Sequence, residues 1–191
     1  MSLKKLIFTP PYWTHSNIKF SDEEIEFVLS EYKSKVPFEN DNYTSFPPHH
    51  PKPELIWKEK YHKIISDIMS NLGLQTTTKY NYHLWGQLYL NGNSHFAHHH
   101  FHPIPNSCHN AAISFVHFIK PADETLFRFV NLKGDEIIPK EQKEGDLILF
   151  PSWLWHAAFP NKSNKQRFIV AGNINITYTE DTCPEYFSNI K

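Results

Sequence analysis

The stretch "EGDLILFPSWLWHAAFPNKSNKQRFIVAGNINI", Glu144 to Ile176, decides how this chain is read. Glu144 to Asp146 reads as a turn, Leu147 to Phe150 as a buried strand, and His156 closes the apolar run that follows. The segment "NKSNK", Asn161 to Lys165, reads as a hairpin loop that folds the strand starting at Arg167 back along His156. Side chains alternate along a strand, so Arg167, Ile169, Ala171, Asn173 and Asn175 share one face, and Phe168, Val170, Gly172, Ile174 and Ile176 share the other. The first face is expected to line a polar cavity.

Working outward, the same texture continues upstream. "TTTKYNYHLWGQLYL", "NAAISFVHFI", "TLFRFVNL" and "DLILF" are short, rich in β-branched or aromatic residues, and punctuated by Asn, Gly and Pro. Before Thr76 the period is helical. Ser21 is followed by Glu24, a capping-box signature, with Ile25, Val28 and Leu29 at helical spacing, so residues 21–35 are expected to form a helix. "PELIWKEKYHKIISDIMSNLGL" reads as a second helix ending near Gly73, and the Pro- and His-rich residues 36–53 read as an extended loop. Helices followed by at least six strands, without alternation, imply an antiparallel sandwich or barrel with helices packed on one side. We expect one α+β domain over 1–191, with a helical support over about 1–75 and an all-β core over about 76–178.

Composition bounds the partners. The chain has 191 residues, a formal charge of -1 and 40% hydrophobic residues, so nothing in it asks for nucleic acid or an anionic membrane surface. The apolar run near the start stops at Pro10 and Pro11, too short for a signal peptide, and no stretch approaches a membrane span. Only Cys108 and Cys183 occur, which excludes a disulfide framework and makes a reducing, cytoplasmic setting the default expectation.

"NSHFAHHHFHP", Asn93 to Pro103, holds five histidines in eleven residues. On a strand His98, His100 and His102 would point one way and His99 and Phe101 the other, so an His-x-His pair offers two imidazoles to one metal. A third ligand must come from elsewhere to hold a first-row metal with open positions, and His156 is the candidate. If Pro160 lies opposite Gln166, Arg167 sits about three residues along the ladder from His156, on the order of 10 Å. That gap suits a short dicarboxylate, one end on the metal and the other in a two-pronged bond to the guanidinium.

In this order, His-x-His, "GDLILFPSWLWH", an Arg eleven positions on and "GNINI", the chain resembles the iron(II)/2-oxoglutarate-dependent oxygenases, and among them a branch of small enzymes found in bacteria and phages. The resemblance covers Trp85 to Ile176 and implies a double-stranded β-helix, a cupin-like jelly roll. It implies Fe(II) held by His98, His100 and His156, with Arg167, Asn173 and Tyr89 on 2-oxoglutarate and no catalytic residue beyond the ligands. Trp85 and Gly92 keep the branch's spacing and favour His98 with His100; Pro103 favours a rival pair, His100 with His102, and both stay open. Residues Pro103 to Asn110 form an inserted loop in either alignment.

Two departures from the wider superfamily stand out. A histidine replaces the usual carboxylate ligand, and Ile169 stands where many relatives carry a hydroxyl, so Tyr89 or Ser114 would have to serve. Trp153, Trp155 and Phe150 suit aromatic walls that keep water out, with Phe150 and Trp153 expected in core packing. The implied reaction consumes dioxygen and 2-oxoglutarate, releases succinate and carbon dioxide, and hydroxylates a protein side chain, for example a prolyl one, or a small molecule. A homodimer is compatible with this reading. Two alternatives are a non-catalytic three-histidine metal module and a three-histidine dioxygenase that needs no 2-oxo acid. Loops 36–53 and 103–110 are where substrate selection would sit.

Overall fold

The computed structural model describes residues 8–39, 42–46, 48–73, 79–101 and 112–177. Its elements in chain order are β1 (Trp13–His15), α1 (Asp22–Lys35), β2 (Phe38–Glu39), β3 (Asn42–Thr44), a 3-10 turn (Pro53–Trp57), α2 (Lys58–Asn71), β4 (Lys79–Tyr89), β5 (His95–His98), β6 (Ile113–Lys120), β7 (Phe127–Val130), β8 (Glu136–Ile137), β9 (Leu147–Pro151), β10 (His156–Ala158) and β11 (Arg167–Thr177).

Both helices begin and end where local chemistry dictates. Ser21 Oγ accepts from the Glu24 amide while the Glu24 carboxylate accepts from the Ser21 amide, closing the capping box. Asp22 to Glu24 at the N-terminus and Lys33 and Lys35 at the other end complement the helix dipole. The second helical stretch opens as the 3-10 turn, started by Pro53, and α2 gives out before Gly73, whose φ of 71° few other residues would adopt.

The strands form two antiparallel sheets. The larger has the order β1-β9-β6-β11-β4-β3-β2 and the smaller the order β5-β10-β7-β8, the paired sheets of a double-stranded β-helix. The expected helix-supported β core is therefore what forms. The segment read as an extended loop instead contributes β2 and β3, which lengthen the larger sheet beyond β4. β1 adds the opposite edge by pairing with β9. These strands are two or three residues long, too short for a period to register in the sequence.

Alternation along β11 sorts the molecule into two cores. Phe168, Val170 and Ile174 pack outward with Leu29, Tyr32, Trp57 and Tyr61 from the helical layer. Ile169 and Ala171 face inward, with Val116, Phe118, Ile148 and Phe150, toward Phe127 and Phe129 of the smaller sheet. The helical layer is also pinned by a buried polar junction. Glu54, fully buried in the 3-10 turn, accepts from the hydroxyls of Tyr32 and Ser45, each at 2.6 Å, and Ser45 Oγ accepts from the Gly86 amide of β4 at 2.9 Å. Close approach explains Gly172 on β11: a Cβ there would lie 2.5 Å from the Phe115 ring and 2.8 Å from the His83 carbonyl oxygen. Among the described residues no helix is long and apolar enough to cross a membrane.

Candidate active site

Between the sheets lies a cavity of about 430 Å³ whose walls include His98, His100, His156, Arg167, Phe150 and Asn173. β10 places His156 between Phe129 of β7 and His98 of β5, its direct partners in the two ladders. His100 lies just past the end of β5, where its amide donates to the Ser152 carbonyl at 2.8 Å and ties the segment to the turn between β9 and β10. The strand reading of the histidine run thus holds only to His98. One potential ligand atom from each of His98, His100 and His156 lies within 4.8 Å of the others.

The tautomers of two of the three rings fit a cation. His156 Nδ1 donates to the Leu154 carbonyl at 3.0 Å and His98 Nδ1 to the Phe96 carbonyl at 2.9 Å, which leaves the Nε2 lone pair of each ring free to bind. His100 Nε2 sits 3.2 Å from His156 Nε2. Two nitrogens bound at right angles to an ion at about 2.1 Å each would sit about 3 Å apart. Burial, first, and the neighbouring His98 and His100 hold His156 well below the usual imidazole range, and burial likewise lowers His98. Both shifts favour the neutral form of His98 and His156, the form that binds a metal. Asn173 Nδ2 stands 3.4 Å from His100 Nδ1, and its Oδ1 accepts from Ser114 Oγ at 2.8 Å. Asn173, expected at the cosubstrate, thus touches a ligand-type histidine, and the Ser114 hydroxyl is committed to Asn173.

Arg167 faces the same cavity from the other sheet. The expected hairpin does not exist as a ladder: β10 pairs with β5 and β7, whereas β11 pairs with β4 and β6. His156 and Arg167 thus stand on different sheets of the sandwich and line one cavity, not along one ladder as the sequence suggests. Arg167 is 2% exposed, and among the described residues neither terminal guanidinium nitrogen, both buried, has a hydrogen-bond partner. The rings of Tyr89 and Phe118, at 4.7 and 5.9 Å, offset part of the cost of burying the charge. Burial lowers the Arg167 pKa and pushes the Tyr89 phenol up to about 12; the opposite charge of each and the close approach of the Tyr89 hydroxyl to the guanidinium, short of a well-formed hydrogen bond, oppose both shifts. Tyr89 Oη donates to Gln87 Oε1 at 2.7 Å.

Other expectations resolve by position. Phe150 is buried and meets His156 edge-on with centroids 4.7 Å apart, whereas Trp153, expected in the core, is 53% exposed. Trp155 packs against His99 at 4.8 Å, away from the ligand-type rings. His117 is a core residue, held between Tyr61 Oη and the Ile18 carbonyl, each at 2.8 Å. His102, Cys108, Cys183 and the insertion at 103–110 lie outside the described residues. Sequence reasoning missed His95 and Gln87, which also line the cavity. No sequence signal gives the bulge in β5 that turns His95 inward.

The family model described as phytanoyl-CoA dioxygenase (PhyH) matches residues 119–169, which hold His156 and Arg167 but not the histidine run. No curated protein matches the chain. Among solved structures, a viral collagen prolyl hydroxylase from Paramecium bursaria Chlorella virus-1, in complex with 2OG, is 20% identical at a TM-score of 0.59, covering 85% of this chain and 94% of its own. A prolyl hydroxylase from Trichoplax adhaerens, in complex with a hypoxia inducible factor peptide fragment, is 14% identical at 0.59, covering 93% and 87%. The carbocyclase SnoK of nogalamycin biosynthesis, described as non-heme and alpha-ketoglutarate dependent, is 13% identical at 0.60, covering 95% and 87%. At these identities the likeness is one of fold: the chain has the double-stranded β-helix of the 2-oxoglutarate-dependent oxygenases.

Proposed function

We propose that this protein is an iron(II)- and 2-oxoglutarate-dependent oxygenase in which His98, His100 and His156 hold the metal and Arg167 holds the far carboxylate of the cosubstrate. The observation that carries the reading is Arg167, a buried cation whose terminal nitrogens have no partner among the described residues, set across one cavity from three converging imidazoles. A buried guanidinium without an anion is costly, and a dicarboxylate spanning the cavity would supply the anion while its other end meets the metal. When bound, iron would let dioxygen act as the oxidant, one oxygen atom going into succinate as 2-oxoglutarate is oxidised with loss of carbon dioxide and the other into a substrate C–H bond. The chain's own residues position and exclude. Leu154 and Phe96 carbonyls fix the rings of His156 and His98, Asn173 steadies His100, and Phe150 and Phe127 wall off water.

For the finer reaction, we favour hydroxylation of a protein side chain, a prolyl ring being the first to try, because prolyl hydroxylases are among the structures of similar fold. The fold is shared with a carbocyclase, so this rests on analogy. The test is succinate release from 2-oxoglutarate by the aerobic iron(II) form, followed by mass spectrometry of a peptide pool for a gain of one oxygen. Metal binding without any succinate would favour the non-catalytic metal module instead.

A further inference from the structure

We propose that His95 is a hydrogen-bond donor to a carboxylate of the 2-oxo acid, set in that role by Gln87, and that it is not a fourth metal ligand; the proposal rests on the oxygenase reading above. Three observations meet in it. The first is placement. Residues three apart on a regular strand face opposite sides, yet His95 and His98 both line the cavity. The ladder shows why: Ala158 pairs with His95 and His156 with His98, so β5 carries one residue more than β10 between the two pairs. That bulge turns His95 inward.

The second is the tautomer. Tyr89 Oη donates to Gln87 Oε1, which leaves Gln87 Nε2 to face His95 Nδ1 at 3.0 Å as a donor. A neutral imidazole that accepts at Nδ1 carries its proton on Nε2. His98 and His156 do the reverse, donating from Nδ1 and keeping Nε2 as a lone pair. His100 is not fixed in this way, since Asn173 Nδ2 stands at a longer 3.4 Å from its Nδ1; His98 and His156 present a lone pair to a metal and His95 presents a proton.

The third is position and need. Contacts run without a gap from Arg167 over the Tyr89 ring at 4.7 Å, through Gln87 to His95, which stacks on His98 at 4.3 Å. His95 lies along the path a dicarboxylate would span. A carboxylate offers about four acceptor sites, more than the two parallel bonds of a guanidinium fork fill. Ile169 brings no donor from the same face of β11, and the hydroxyls of Tyr89 and Ser114 are engaged by Gln87 and Asn173.

The test uses the full chain loaded with zinc(II), which is diamagnetic and cannot turn over. Long-range nitrogen–proton NMR of the imidazoles should show His95 protonated at Nε2, and Gln87→Glu, whose carboxylate can only accept, should move the proton to Nδ1. His95→Phe keeps the stacking and removes the donor. By calorimetry it should weaken 2-oxoglutarate by about tenfold with zinc stoichiometry unchanged, and His95→Gln should recover part of the loss. A proton on Nδ1 in the unmodified protein overturns the proposal. So does His95→Phe that binds 2-oxoglutarate as before, or that loses zinc as a ligand variant does. If the unmodified zinc form fails to bind 2-oxoglutarate at all, the oxygenase reading itself falls and takes this with it, an outcome distinct from the other three.

Discussion

Replacing Arg167 by Met keeps most of the length and bulk of the side chain and removes its charge. The guanidinium is buried, and among the described residues neither terminal nitrogen is hydrogen-bonded. Unmade bonds of a buried polar group cost about 1–3 kcal/mol, and the ring of Tyr89 returns about 0.5–2 kcal/mol as a cation–π contact. Exchange of a buried ion for a well-packed apolar group of similar volume often stabilises, so Arg167→Met should raise the stability of the ligand-free form by about 1–2 kcal/mol. For a chain of this size that is a rise in Tm of roughly 2–8 °C. Adding 2-oxoglutarate reverses the order. At about a hundred times its Kd, the ligand adds about 2.7 kcal/mol to the unmodified metal form and nothing to the variant. Thermal denaturation of the zinc form, with and without 2-oxoglutarate, therefore predicts a crossing of two pairs of curves. If Arg167→Met were less stable without ligand and still shifted by it, the guanidinium would be structural and the cosubstrate role refuted.

Further outcomes follow from other residues. Arg167→Lys keeps a charge but loses the fork, and should weaken 2-oxoglutarate about ten- to a hundredfold while leaving iron bound, measured by anaerobic titration of the absorption band. His156→Ala should abolish metal stoichiometry and His99→Ala, whose ring packs on Trp155, should keep it; comparing His98→Ala with His102→Ala decides between the two candidate pairs. Burial pushes His117 down to about 4, so the unfolded chain takes up its proton first as pH falls. Stability should then drop by about 1.4 kcal/mol per pH unit from roughly pH 6.5 down to the folded value, and His117→Gln should flatten that part of the curve in urea titrations. Gly172→Ala forces a methyl against Phe115 and the His83 carbonyl, and should cost about 1–3 kcal/mol in the same titrations with no change in metal stoichiometry.

What could be read in the sequence was whatever depends on a period or a cap. Ser21 with Glu24, the change to strand texture after Thr76 and the two faces of β11 all appear in the structure, because each is set by neighbours within a few residues. What depends on long-range pairing was not legible. The hairpin drawn between His156 and Arg167 followed the commonest connection for a short loop, but β10 and β11 join different sheets. His95 escaped for a related reason: strict alternation assigns it to the wrong face, and only its pairing with Ala158 reveals the extra residue. Asn173 was placed on the right face, yet its partners, His100 and Ser114, come from elements far off in the chain.

The alternation of β11 has a consequence for how such a protein can change over generations. Arg167, Ile169, Ala171 and Asn173 line the cavity, and Phe168, Val170 and Ile174 on the other face pack with the helical layer. Chemistry and fold integrity are thus interleaved on one strand but written in separate parity classes, so substitutions can explore one without spending the other. Insertion or deletion of a single residue would not respect that separation. It would exchange the two registers at once, driving Arg167 toward the aromatic layer around Trp57 and turning Phe168 into the cavity. Along this segment, point substitution is the route by which new reactivity can arise, and a change in length closes it.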